Sequence, residues 1–158
     1  MRGQPEGTIA TARKYLQSIN LRDFSDVASE DQFRNLLDEH TKKLRDELKS
    51  KSWGMARKVL NIFLFQAVEH TLLNRNYALD KIIKYLELPL DNPNAKRLRK
   101  AAKKDERINL AWKNIKSLSP STSMQFQEYA RRHAYEKHNC ERCYLEIYWW
   151  RSNEKDSK

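Results

Sequence analysis

Lys96, Arg97, Arg99, Lys100, Lys103 and Lys104 crowd one short stretch of this chain. Held on one helix face, they would draw in a phosphate backbone. The plainer alternative is a solvated helix face. A second grouping is His133, His138, Cys140 and Cys143. Thiolates and imidazoles are the ligand types that zinc prefers. His133, however, falls on an apolar helical face and reads as a core histidine. His138 reads as a cationic residue at a helix end, favoured by the dipole. The expectation is therefore free thiols, no metal and no cofactor. Iron–sulfur clusters of the four-cysteine kind need two more cysteines than the chain has. No P-loop, dinucleotide-binding glycine fingerprint, HExxH or Ser-His-Asp order is present.

The elements that must position these residues are helical. The chain has 158 residues and a net charge of +10, with 39% hydrophobic and 33% charged residues. Three glycines and four prolines are too few for the turns of a β-sandwich or barrel. No apolar run approaches the ~18 residues of a membrane span. The first residues lack the apolar core of a signal peptide, and two cysteines cannot staple a fold, so a cytoplasmic location is expected. Most of the excess charge, +7, lies in residues 80–158.

Apolar spacing predicts a single all-α domain over residues 1–158, with loose tails at 1–8 and 152–158. Roughly six or seven helices are expected around a buried central helix. Thr8 to Ile19 forms the first. Ser29 opens the second through a capping box with Gln32. The third runs from Met55 to Leu73, apolar almost all round and so expected at the centre. A short helix follows from Asp80. Pro89 stops it, and Asn92 caps a basic helix with Pro93 at its first position. Ile108, Ala111, Trp112 and Ile115 predict another helix, and Ser119-Pro120 begins the next. Cys143 to Trp150 is a short helix or an extended strap, packing or stacking through the aromatics of Tyr144 to Trp150.

Gly54 lies between two strong helices, in Ser52-Trp53-Gly54-Met55-Ala56-Arg57-Lys58. It reads as a helix end or tight turn, or as the hairpin of a helix-hairpin-helix. In the latter the N–H groups of residues 55–57 meet a DNA phosphate. Gly54 should then have a positive φ, or admit a backbone approach that a side chain would block.

Gly54-Met55-Ala56-Arg57-Lys58-Val59-Leu60-Asn61 resembles the hairpin and second helix of endonuclease III-type DNA glycosylases, whose pattern is Gly-Val-Gly-Arg-Lys-Thr-Ala-Asn. Leu88-Pro89-Leu90-Asp91 is similar to the segment carrying that family's catalytic aspartate. Ala56 stands where the family has its second glycine, and Asn92-Pro93 where it has Thr-His. The resemblance implies a helix-hairpin-helix fold and base excision from DNA, with the base flipped out of the duplex. It implies Lys58 as the amine nucleophile and Asp91 as the stabiliser of developing positive charge. It also implies DNA contacts at Gly54, Met55, Ala56 and Arg57, joined by the cations of 96–104. On residue chemistry alone, Lys58 is a first-turn charge and Asp91 a helix cap. The alternative function is a non-enzymatic helical protein that binds nucleic acid or a protein partner. Geometry separates the two: an enzyme needs Lys58 and Asp91 facing one cleft.

Overall fold

The computed structural model describes residues 6–105 and 107–149. Among the described residues all regular structure is helical, as the spacing predicts. Seven α-helices are delimited: α1 (Thr8–Gln17), α2 (Leu21–Ser25), α3 (Glu30–Glu47), α4 (Trp53–Glu69), α5 (Thr71–Tyr77), α6 (Asn92–Asp105) and α7 (Pro120–His138). Three 3-10 segments, Leu79–Tyr85, Ile115–Ser117 and Arg142–Tyr144, join them. Residues 145–149 continue helically, which settles the aromatic C-terminal segment as helix up to Trp149. No described helix is long and apolar enough to cross a membrane.

Serine hydroxyls start the long helices. Ser29 accepts from Gln32 N, Ser52 from Met55 N and Ser119 from Thr122 N, each satisfying a donor that the helix leaves orphaned. The Gln32 side chain reaches back to Ala28 N, closing the box one residue earlier than the usual form. The basic helix is capped one residue earlier than expected: Asp91, not Asn92, accepts from Asn94 N at 3.0 Å.

Two expected helices differ. The segment 55–73 is broken at His70, whose backbone is extended and whose Nδ1 accepts from Leu73 N to start α5. Residues 107–114 are not helical. Ile108, Leu110 and Trp112 also alternate with period two, and burial follows that alternation, with Leu110 in the core and Asn109 and Ala111 exposed. Thr8 is buried at the start of α1 and does not belong to a loose tail. Residues 6 and 7 form an exposed turn into α1, and residues 1–5 and 152–158 of the expected tails lie outside the described residues.

The core has two clusters. One centres on Phe24, Phe33, Leu37, Leu44, Leu60 and Leu64, between α3 and the near side of α4. The other gathers Leu88, Leu98, Phe126, Ala130 and Leu145 between α6 and α7. The far side of α4 is only partly covered, and Ile62 is exposed. Gly54 lies where α4 meets the 3-10 turn at Ile115. A Cβ there would sit 2.2 Å from Ile115 O and 2.8 Å from Leu118 Cβ.

Candidate nucleic-acid interface

The cation stripe is formed by α6. Its buried positions Ala95, Leu98 and Ala102 face the core at helical spacing, which turns Lys96, Arg99, Lys100, Lys103 and Lys104 to solvent. Among the described residues none of these five makes an ion pair. Arg97 is different: half-buried, its guanidinium lies 5.5 Å from the centroid of the Trp149 ring. A groove of about 480 Å³ borders the stripe, with Arg99, Asn109, Trp112, Lys113 and Asn114 among its walls. The non-helical run 107–114, whose spacing also fits a helix, makes that wall.

Lys58 and Asp91 come together at one end of this region. Lys58 Nζ is 3.0 Å from Asp91 Oδ2, and the two side chains are 27% and 24% exposed. The first turns of α4 and the cap of α6 set that distance. Asp91 has two tasks at once, since its other carboxylate oxygen caps α6. Its neighbour Asn92 accepts from Trp112 Nε1 at 2.9 Å, which connects the pair to the groove wall.

The hairpin surface is different from the expectation. Gly54, Met55, Ala56 and Arg57 are all buried, with the turn at Ile115 packed against Gly54. Gly54 is helical and its φ is not positive; the second arm of the expectation describes it, but the approaching backbone is the protein's own. Met55 N is engaged by Ser52 Oγ and Ala56 N by Ser52 O. The start of α4 is thus closed to a phosphate, and these four residues do not form a DNA-contacting surface.

Arg57 belongs instead to a buried ion cluster that nothing in the residue spacing foretells. Its Nε and Nη2 each donate to Glu87, both at 2.8 Å, and Nη1 donates to Asp38 at 2.7 Å and to Thr41 at 3.1 Å. Asn61 donates to Glu87 at 3.0 Å. Burial works against both charges, but mutual attraction wins. Arg57 is raised above the usual arginine value, and Glu87 is held below the usual carboxylate range. Arg142 approaches from the C-terminal segment, donating to Tyr85 O and Leu86 O, each at 2.9 Å. Only the apolar neighbours of Arg57 in α4 hint at its burial; nothing local marks Glu87 or Arg142.

His133 stacks on Tyr129, with its Nδ1 3.7 Å from Asp105 Oδ2, and His138 stacks on Tyr148. Cys140 and Cys143 are free thiols whose Sγ atoms face the carbonyls of Ala134 and Ile83. Among the described residues, no three His, Cys, Asp or Glu side chains are placed to hold a metal ion. Set against protein-family models, curated proteins and solved structures, the chain matches none of them.

Proposed function

We propose that the chain binds nucleic acid, duplex DNA in the first instance, through the exposed face of α6 and the groove beside it. One observation carries this: Lys96, Arg99, Lys100, Lys103 and Lys104 line one helix face without an ion-pair partner among the described residues. Stabilising cations are usually matched with nearby acids; an unmatched stripe costs self-repulsion that a polyanion relieves. Trp112, Asn109 and Lys113 extend it with groups suited to phosphate and sugar. Binding should weaken steeply with salt. Replacing Lys96, Arg99, Lys100 and Lys103 by Gln together, with Arg97 left to pack, should flatten the log–log salt slope by up to about 3.6, at ~0.9 for each phosphate no longer neutralised. A slope unchanged in the folded variant would reduce the stripe to a solvated face.

The distance between Lys58 and Asp91 favours a second reading, strand chemistry of the glycosylase–lyase kind. The lysine amine would attack the sugar C1′ while the base, or the hydroxyl of an abasic site, departs; the C1′–O4′ bond then opens and the nitrogen's proton passes to O4′, leaving an imine. The carboxylate would steady positive charge on the sugar. An ion pair uses the ammonium and attack uses the free amine, so the pair must part and Lys58 must lose a proton first. Borohydride reduction of the imine on an abasic-site duplex should yield a covalent adduct, absent in Lys58→Ala. Asp91→Asn keeps the helix cap and should slow adduct formation. If the wild-type protein gives no adduct, the pair is a strut between α4 and α6.

A further inference from the structure

A pocket of about 170 Å³ lies between α3, α4 and α7, away from the α6 stripe. Its depth is charged: Arg57 and Arg142 are 4% and 6% exposed, and Glu87 is buried with them. Its sides are flat and apolar, formed by Phe33, Trp53 and Tyr85. The Phe33 and Tyr85 rings lie 5.7 Å apart, and the Trp53 ring lies 5.3 Å from the Arg57 guanidinium.

The buried charges do not balance. Two guanidinium groups face one fully buried carboxylate; Asp38, which also binds Arg57, is half in water. Glu87 is taken up on both oxygens by Arg57. Glu30 belongs chiefly to Arg131 and stands 3.9 Å from Arg142 Nη2. Arg142 is therefore under-compensated. Burial pulls it below the usual arginine value, with Glu87 and Glu30 only partly offsetting that and Arg131 opposing them. Donors are also left over. Among the described residues, Arg142 Nη1 and the Ser123 hydroxyl have no hydrogen-bond acceptor, and both residues line the pocket. Gln127 bonds both polar groups of Leu88 through Oε1 and one Nε2 hydrogen, which leaves its second Nε2 hydrogen.

We propose that this pocket binds a small planar monocarboxylate, an aromatic ring of about benzene's size whose carboxylate meets Arg142 and Ser123. Volume sets the size, since a cavity of about 150 Å³ accommodates benzene. Over the whole lining Arg34, Arg57, Arg131 and Arg142 are matched in number by Glu30, Asp38, Glu87 and Glu128, so the choice of an anion is local: it rests on Arg142 at the buried end, whose nearest carboxylate, Glu30, is held by Arg131. A guanidinium edge with a neighbouring hydroxyl matches the in-plane lone pairs of a carboxylate, and the aromatic walls accept the ring by stacking or edge contact.

Benzoate is the probe, with benzamide as its neutral counterpart, titrated into isotope-labelled full-length protein. Saturable shifts should appear at the backbone amides of 123–128 and at the Trp53 indole. Affinity should be about tenfold higher for benzoate than for benzamide, the factor expected for a charge-assisted bond. Ser123→Ala should fold normally and weaken benzoate severalfold. Ser123→Phe, which fills the pocket, should abolish the shifts in a protein whose circular dichroism is unchanged. The proposal is overturned if benzoate gives no saturable shift at millimolar concentration, or if benzamide binds as well. It is equally overturned if the shifts map to the exposed face of α6, which would mean unspecific anion attraction.

Discussion

Gly54 turns on two distances. An added methyl at this position would meet a main-chain oxygen, Ile115 O, at 2.2 Å and Leu118 Cβ at 2.8 Å. Neither atom is the free end of a flexible side chain, so one element must move. Alanine is otherwise the better helix former by about 1 kcal/mol, so a backbone-propensity argument alone expects Gly54→Ala to stabilise α4. Overpacking costs about 1–3 kcal/mol and sometimes more, which outweighs that gain. Gly54→Ala should lower the urea midpoint without changing DNA affinity at matched folded fraction, because the start of α4 is covered. A variant as stable as the parent would mean that the turn at Ile115 yields freely. A folded variant with a specific loss of DNA binding would restore the hairpin surface. Asp91 shows the opposite case, in which one carboxylate caps a helix and holds a lysine. The prolines locate that cap only to within a residue, since Pro93 points to Asn92 and the structure uses Asp91; its lysine partner comes only through the resemblance to the glycosylases.

At the scale of elements, what the sequence makes legible is punctuation. Ser29 and Ser119 carry short oxygen side chains ahead of apolar periodic runs, and each caps the helix that follows; Ser52 does the same for α4, although the spacing starts that helix only at Met55. The break at His70 is not legible. Residues on both sides continue the apolar pattern with no Gly or Pro, and histidine is an uncommon cap. The stretch 108–115 fits both a helical and a period-two pattern, and a run so short cannot choose between them. Tertiary context chooses: α6 and α7 already cover Leu110, while Asn114 Oδ1 accepts from Ser117 N to start a 3-10 turn. The buried ion cluster is hidden for a different reason. Arg57, Glu87 and Arg142 sit on three separate elements, and in a chain where a third of residues are charged each one reads as surface. Their burial follows from the crossing of α3, α4 and the C-terminal segment, which only long-range packing determines. The same crossing makes the pocket, so its ligand chemistry is equally out of reach of spacing arguments. The cation stripe of α6 is local, and the helix period turns five of its six residues outward.

Across the whole molecule, the buried titrating groups prescribe a stability plateau with an edge on each side. His40 bonds the Tyr15 hydroxyl at 2.9 Å and stacks on Phe24; His133 stacks on Tyr129 with Nδ1 lacking a hydrogen bond among the described residues. Burial, the leading cause in each, lowers both below their ordinary value of 6.5, with Lys43 adding to it for His40 and His138 and Lys137 for His133. Glu39 and Asp23 oppose the shift of His40, and Asp105 and Glu136 that of His133. The unfolded chain therefore takes up these protons first as pH falls, and stability must drop with pH below about 6.5. Glu87 and Glu30 are held below their ordinary 4.5, Glu87 by Arg57 against the cost of burial and Glu30 first by its hydrogen bond to Arg131. Unfolded carboxylates protonate before these two do, so a second loss begins below about 4.5. On the alkaline side the sign reverses. Burial pushes Cys143 from 9.0 up to about 12 and Tyr15 from 10.0 up to about 12. The unfolded chain then gives up protons that the folded one keeps, and stability falls above about pH 9. Urea midpoints should hence be flat from about pH 7 to 9, lower by pH 5.5, and lower again by pH 4. The growing positive charge of a molecule already at +10 acts in the same direction on the acid side, so variants must separate the causes. Glu87→Gln should cost stability at pH 7 yet flatten the limb below 4.5, whereas Cys143→Ala should flatten the alkaline shoulder and leave the acid limb alone. A midpoint unchanged between pH 7.5 and 5.5 would show that the two histidines titrate alike in both states. An acid limb untouched by Glu87→Gln would leave self-repulsion as its cause.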